Sequence, residues 1–224
     1  MVGQLLWTPK GKGKAAAGRL YGMNVLRAET DRWGFWRERR LCRAGRTLRQ
    51  GGAGRVLVPR DFDRWELLTG FGLRPVDPTS FVRSQSAPMA LELLRRRGLS
   101  PERSAVALRG DRADRDMLRT AACLCPQVRA LVIDAPRGGG ELAAWLRREF
   151  GVPILPPGEA GQIALEFQPG CSQGEEAALA LYGPWPELAG LCLTAPELAE
   201  EDRDDLPLLA VLWEAGKLGE VKIT

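Results

Sequence analysis

Three of the chain's five lysines stand at alternate positions with glycines between them, Lys10-Gly11-Lys12-Gly13-Lys14. Such a loop suits a phosphate or carboxylate, because glycine lets backbone N–H groups approach and lysine supplies charge. Three later segments carry related chemistry at the ends of apolar runs: Pro59-Arg60-Asp61, Arg109-Gly110-Asp111 and Asp134-Ala135-Pro136-Arg137-Gly138-Gly139-Gly140. Lys10, Lys12, Lys14, Arg60, Arg109 and Arg137 are therefore candidate anion ligands. Gly138, Gly139 and Gly140 would admit a ligand close to the backbone, and Asp134 would accept from a ribose hydroxyl. The competing reading makes the same Arg and Asp residues helix caps and mutual ion pairs.

Known phosphate signatures are not met. A Walker A loop needs G-x-x-x-x-G-K-[ST], whereas Thr8 stands where its first glycine belongs and Ala15 follows Lys14 where a hydroxyl should hold magnesium. The dinucleotide sequence G-x-G-x-x-G follows none of the expected strands. No particular cofactor is indicated.

The chain contains no histidine. Ser-His and Cys-His nucleophile pairs are thus excluded, which lowers the expectation of catalysis. Acid–base work would fall to Asp61, Asp111 or Asp134, with Lys or Arg as electrostatic stabilisers. The five cysteines, Cys42, Cys123, Cys125, Cys171 and Cys192, are odd in number and scattered, so they read as buried thiols in a reducing compartment. Cys123-Leu124-Cys125 lacks both an imidazole and a second Cys pair, and no metal site is expected.

The elements that must position these residues are clearest in the middle of the chain. Residues 104–110 and 128–136 have the short apolar runs of buried strands, and 152–155 closes the series. Between them, 111–124 and 138–151 carry helical apolar spacing, the first with Asp in its opening turn and the second stopping at Gly151. Alternating strand and helix within so short a span calls for parallel pairing through right-handed crossovers. Upstream, 4–9 and 55–59 read as strands, 60–72 as a short helix capped by Asp61, and 81–98 as a helix that Pro88 kinks or delays. The KGKGK loop then falls between a strand and a helix, the place where open α/β sheets bind ligands. Residues 163–170, 175–184 and 188–196 are strand-like, 200–219 opens with acids and then turns apolar, and 221–224 is a last strand.

The fold expected is α/β, a doubly wound, mostly parallel, Rossmann-like sheet with antiparallel edge strands in the carboxyl third. Residues 1–160 form its core, and 161–224 complete that domain or make a small subdomain. The pattern resembles dinucleotide-binding folds at the level of the fold alone, which carries no function.

Charge is distributed unevenly: residues 1–60 are net +11, residues 61–149 net +3 and residues 150–224 net −10. Either the two ends neutralise one another within the fold, or the basic third meets a phosphate-rich partner. Trp33 and Trp36 interleave with Arg37, Arg39, Arg40, Arg43, Arg46 and Arg49 in 30–52. That pattern fits a crossover helix docking its Trp face on the sheet, with nucleic-acid contact, and after it contact with an anionic membrane, the weaker alternatives. No apolar stretch reaches the roughly 20 residues of a membrane span, and the amino terminus reverses the order of a secretory signal. A cytoplasmic protein binding a small anionic metabolite or nucleotide, without membrane insertion, is the reading these features favour. The alternatives are a nucleotide-dependent enzyme and a nucleic-acid or protein-binding module built on 10–60.

Overall fold

The computed structural model describes residues 1–171 and 177–224. The chain divides into two compact units, Met1–Val76 with Ala210–Leu218, and Asp77–Leu209 with Gly219–Thr224.

The first unit contains β1 (Val2–Trp7), β2 (Lys12–Leu20), β3 (Met23–Thr30), α1 (Arg37–Gln50), β4 (Arg55–Leu57), α2 (Trp65–Thr69) and β5 (Arg74–Pro75). Its sheet has the order β2-β3-β1-β4-β5, all parallel except the antiparallel edge strand β2. Leu5, Ala28 and Val56 from the sheet pack on Leu41, Ala44 and Leu48 of α1 to form the core.

The sequence reading departs from this unit at several points, three of which concern residues singled out for function. Residues behind the lysines form β2, not a helix. Leu20 pairs with Met23, leaving Tyr21 and Gly22 as a two-residue turn with φ of 46° and 78°, the left-handed pair that a tight hairpin requires. That hairpin, with Gly13 and Gly18 inside the run, overrides the helix preference of Ala15, Ala16 and Ala17. The tryptophans do not dock either: α1 begins at Arg37 and buries Leu41, Ala44, Gly45 and Leu48, while Trp33 and Trp36 stand before it, 68% and 53% exposed. Asp61 does not cap α2, whose helical residues start at Trp65; it accepts a 2.9 Å hydrogen bond from Trp7 Nε1 instead.

The second unit holds α3 (Thr79–Ser84), α4 (Ser86–Arg96), β6 (Ala105–Arg109), α5 (Arg115–Leu124), β7 (Ala130–Asp134), α6 (Gly139–Phe150), β8 (Ile154–Leu155), β9 (Ile163–Glu166), β10 (Ala178–Ala180), β11 (Leu193–Thr194) and β12 (Lys222–Ile223). The expected helix over 81–98 is two helices meeting at Gln85. Pro88, which has no N–H to donate, falls in the first turn of α4, where none is needed. β6 to β10 form an all-parallel sheet in the order β10-β9-β6-β7-β8. The first strand is central, two later strands lie on one side, and the direction of winding reverses between β6 and β9. β9 and β10 thus extend the sheet in parallel, and among the described residues the antiparallel pairing of the carboxyl third joins β11 to β12. The first residues of the expected 175–184 strand lie outside the described residues.

α7 (Leu206–Glu214) supplies the acidic helix start, where Asp205 Oδ1 accepts from Leu208 N at 3.0 Å. Within the first unit Glu214 takes both terminal nitrogens of Arg55, at 3.0 and 2.7 Å, so part of the opposing charge of the two chain ends is neutralised internally. No described helix is long and apolar enough to cross a membrane.

Candidate functional site

In the second unit the chemistry gathers at the carboxyl edge of the sheet. Arg109 ends β6, Asp134 ends β7 and Glu166 ends β9, and the strands pair so that Arg109 is in register with both carboxylates. In-register neighbours of parallel strands project to the same face, so the three form a row across the edge. Arg109 is fully buried; its guanidinium meets Asp134 Oδ2 at 2.7 Å and the Glu159 carbonyl at 3.2 Å. Glu166 is 4% exposed, and the Tyr182 hydroxyl donates to its carboxylate. Burial, then the Glu166 charge, pushes the Tyr182 hydroxyl above its ordinary range. The row is rich in acceptors. It fits hydroxyl or amine donors better than a second anion.

The helices differ at their starts. Asp114 caps α5 by accepting from Met117 N at 2.9 Å, so a carboxylate already occupies that positive end. Arg83 ties this corner together through Asp114 Oδ2 at 3.2 Å, the Leu181 carbonyl at 3.0 Å and the Phe167 carbonyl. α6 begins instead at Gly138, left-handed with φ 78°, and has no side-chain cap. Its Gly139 and Gly140, together with Asp134, line a cleft of about 370 Å³ whose walls include Ile133, Ala143, Ile154 and Leu155.

The cations expected at this edge are largely committed to partners. Arg109 is held as described, and Arg137 pairs with Asp111. The remaining candidates belong to the other unit. Thr8, Pro9, Lys10 and Gly11 form a tight turn closed by Gly11 N on the Thr8 carbonyl at 3.0 Å, with Lys10 at φ 66° as the third position of a type II turn requires. Lys12 and Lys14 are exposed on β2, and Arg60 is exposed just after β4. So Asp134 shares the α6 cleft with Gly139 and Gly140, and Lys10, Lys12, Lys14 and Arg60 belong to the first unit, Lys12 and Lys14 on its edge strand.

Asp61, Asp111 and Asp134 are each tied to an arginine, Asp61 to Arg32 at 2.5 Å. Sequence reasoning missed Glu166, Tyr182 and Arg83. The signal for Glu166 was present as a carboxylate closing an apolar strand, IALE, which is costly to bury without partners.

Cys171 lies close enough to this row to feel it. Burial first, then the charges of Glu166, Asp134 and Asp111, push its thiol up, against a smaller opposite pull from Arg109. Cys125 is pushed up to about 11 by burial. Because the thiolate is the reactive form, alkylation of the native protein near pH 8 is expected to label exposed Cys123 first and leave Cys125 and Cys171 slow. Peptide mapping over time checks this, and labelling of Cys171 as fast as Cys123 would contradict the placement.

Comparison with known proteins adds little to the geometry. No family model matches the chain. No curated protein matches it. One solved structure, L-tryptophan dehydrogenase from Nostoc punctiforme, is similar over 64% of this chain and 42% of that one, at 15% identity and a TM-score of 0.29. This chain thus spans less than half the length of that one. At so low a TM-score, the likeness carries no argument. The α/β class rests on the strand order itself.

Proposed function

We propose that the second unit is a Rossmann-like binding module for a small nucleotide or similar phosphorylated metabolite, and that it holds this ligand without chemical conversion. The observation that carries this reading is the cleft joining Asp134 to the uncapped start of α6. The Gly139 N–H donates to the Ala135 carbonyl at 3.1 Å, so an anion would take the N–H groups that follow it in the first turn of α6, and a carboxylate at the end of a neighbouring parallel strand suits a ribose hydroxyl. The apolar walls would take a base or similar flat group. A phosphate at α6 and hydroxyls at Asp134 keep the two signs of charge apart.

Gly140 gives a clean test. A Cβ there meets nothing within 4 Å, and its backbone is not left-handed, so side chains are accommodated. Gly140→Asp puts a carboxylate in the first helical turn, stabilising the helix by about 0.3–1 kcal/mol through the dipole while occupying the anion position. The expected outcome is an unchanged or raised melting temperature together with loss of ligand-induced stabilisation. The screen uses mononucleotides, dinucleotides and sugar phosphates with the full chain. Ligand at about 100 times Kd should stabilise the parent by roughly 2.7 kcal/mol. A ligand that stabilises parent and variant equally would place the site elsewhere, and no stabilisation by any of them would remove the proposal.

A further inference from the structure

We propose a second, independent site in the first unit: the cleft between the start of β2 and α1 binds single-stranded nucleic acid. Phosphates would lie on Lys12, Arg39, Arg43 and Arg46, and a base would stack on Trp36.

The helix geometry sets the arrangement. Arg39, Arg43 and Arg46 fall at i, i+4 and i+7, one stripe of α1, and Trp36 precedes them by a turn. At 1.5 Å per residue the stripe from Trp36 to Arg46 runs about 15 Å. Lys12 faces it from β2, and these residues line a cleft of about 560 Å³. The two elements are clamped at Gly13, whose carbonyl accepts from Thr47 Oγ1 of α1 at 3.1 Å.

The charges on this stripe are uncompensated, which distinguishes them from their neighbours on the same helix. Arg37 pairs with Asp63 at 3.0 Å and Arg40 with Asp31 at 3.1 Å. Among the described residues Lys12, Arg39, Arg43 and Arg46 pair with no carboxylate. Four cations held around one concavity repel each other, and a phosphate chain relieves that repulsion by displacing counterions.

The aromatic side chains decide the kind of polyanion. Trp33, Phe35 and Trp36 are exposed together, Phe35 at 94%, beside the basic stripe. Arg39 lies over the Trp36 ring at 5.5 Å and Arg32 over Trp33 at 4.9 Å. Exposed indole rings backed by guanidinium groups are stacking platforms for unpaired bases, and a duplex, with its bases already stacked, cannot use them. A lipid surface fits less well. Interfacial helices insert an exposed apolar face, whereas the apolar stripe of α1, Leu41, Ala44 and Leu48, is fully buried in the core.

The test is fluorescence anisotropy of labelled oligo-dT and oligo-U titrated with the full chain over a range of salt. Four phosphate contacts on a single strand give a slope of about −3 in log K against log salt, or roughly 50-fold weaker binding at 200 mM than at 50 mM. Arg43→Ala with Arg46→Ala should halve the slope. Trp36→Ala should weaken binding about 5-fold or more and leave the slope unchanged. All three positions are exposed, and thermal melts confirm that the variants fold. Preference between oligo-U and oligo-dT tells RNA from DNA and supports the site either way. Four results would overturn it: no binding at 50 mM salt, variants that bind like the parent, full competition by equimolar tripolyphosphate, or equal affinity for anionic vesicles.

Discussion

Replacing Arg109 with methionine is expected to destabilise the second unit by about 3–5 kcal/mol, because it takes the fully buried guanidinium away from the largely buried Asp134 carboxylate. Asp134 is only 20% exposed at its side chain and faces the guanidinium at 2.7 Å. The Glu159 carbonyl would lose its donor as well, so the connector between β8 and β9 would lose one of its anchors. Methionine roughly matches the volume and cannot supply charge or hydrogen bonds, which isolates the electrostatic part. Urea unfolding followed by circular dichroism measures the loss. The double variant Arg109→Met with Asp134→Leu should recover part of it, since an apolar replacement of both partners removes the stranded charge. A single variant within about 1 kcal/mol of the parent would mean that water reaches Asp134 freely, and the buried row would lose its structural meaning.

The second large effect is expected at Gly13. A Cβ there would fall well inside 3.0 Å of the Arg40 carbonyl oxygen, and the backbone is left-handed at φ 68°. Left-handed geometry costs roughly 1–2 kcal/mol for alanine, and forcing α1 away from β2 adds about 1–3 kcal/mol. Gly13→Ala should therefore destabilise by roughly 2–5 kcal/mol. Gly22 is the control: it is equally left-handed at φ 78°, with nothing within 4 Å of a Cβ, so Gly22→Ala pays only the conformational part. Denaturant midpoints of the two variants give the difference directly. If they match, the close approach of strand and helix is not what fixes the glycine.

The alternating strands and helices of 104–155 were legible because each run is short, apolar and punctuated, and the all-parallel sheet around β6 follows from them. Two things were not. The turn at Tyr21 and Gly22 bears no Asn-Gly or Asp-Gly signature, so β2 and β3 were hidden behind an alanine run that favours helix in isolation. The spread of the chain over two five-stranded sheets was hidden as well, because a strand pattern does not say which sheet it joins. Lys12 and Arg109 were legible as cations near strand ends, but only pairing shows that Arg109 is committed to Asp134 while Lys12 is not. The tryptophans taught the reverse lesson. Trp33 and Trp36 fit the apolar spacing of a docked helix, yet Gly34 between them has φ 116°, a backbone that ends helical periodicity before α1 begins.

β2 ends its sheet, with β3 on one side and no described strand on the other. Apart from the Gly13 carbonyl, which Thr47 Oγ1 occupies, such an outer rim is a template on which a second chain can add a strand. Along it, Lys12 and Lys14 stand at one end, where the register to β3 shifts, and Arg19 near the other, flanking the small residues Ala15-Ala16-Ala17-Gly18. Like charges brought together edge to edge repel, so these three residues act as gatekeepers against self-assembly. Lys12 and Lys14 thus work against one copy of the chain templating the next.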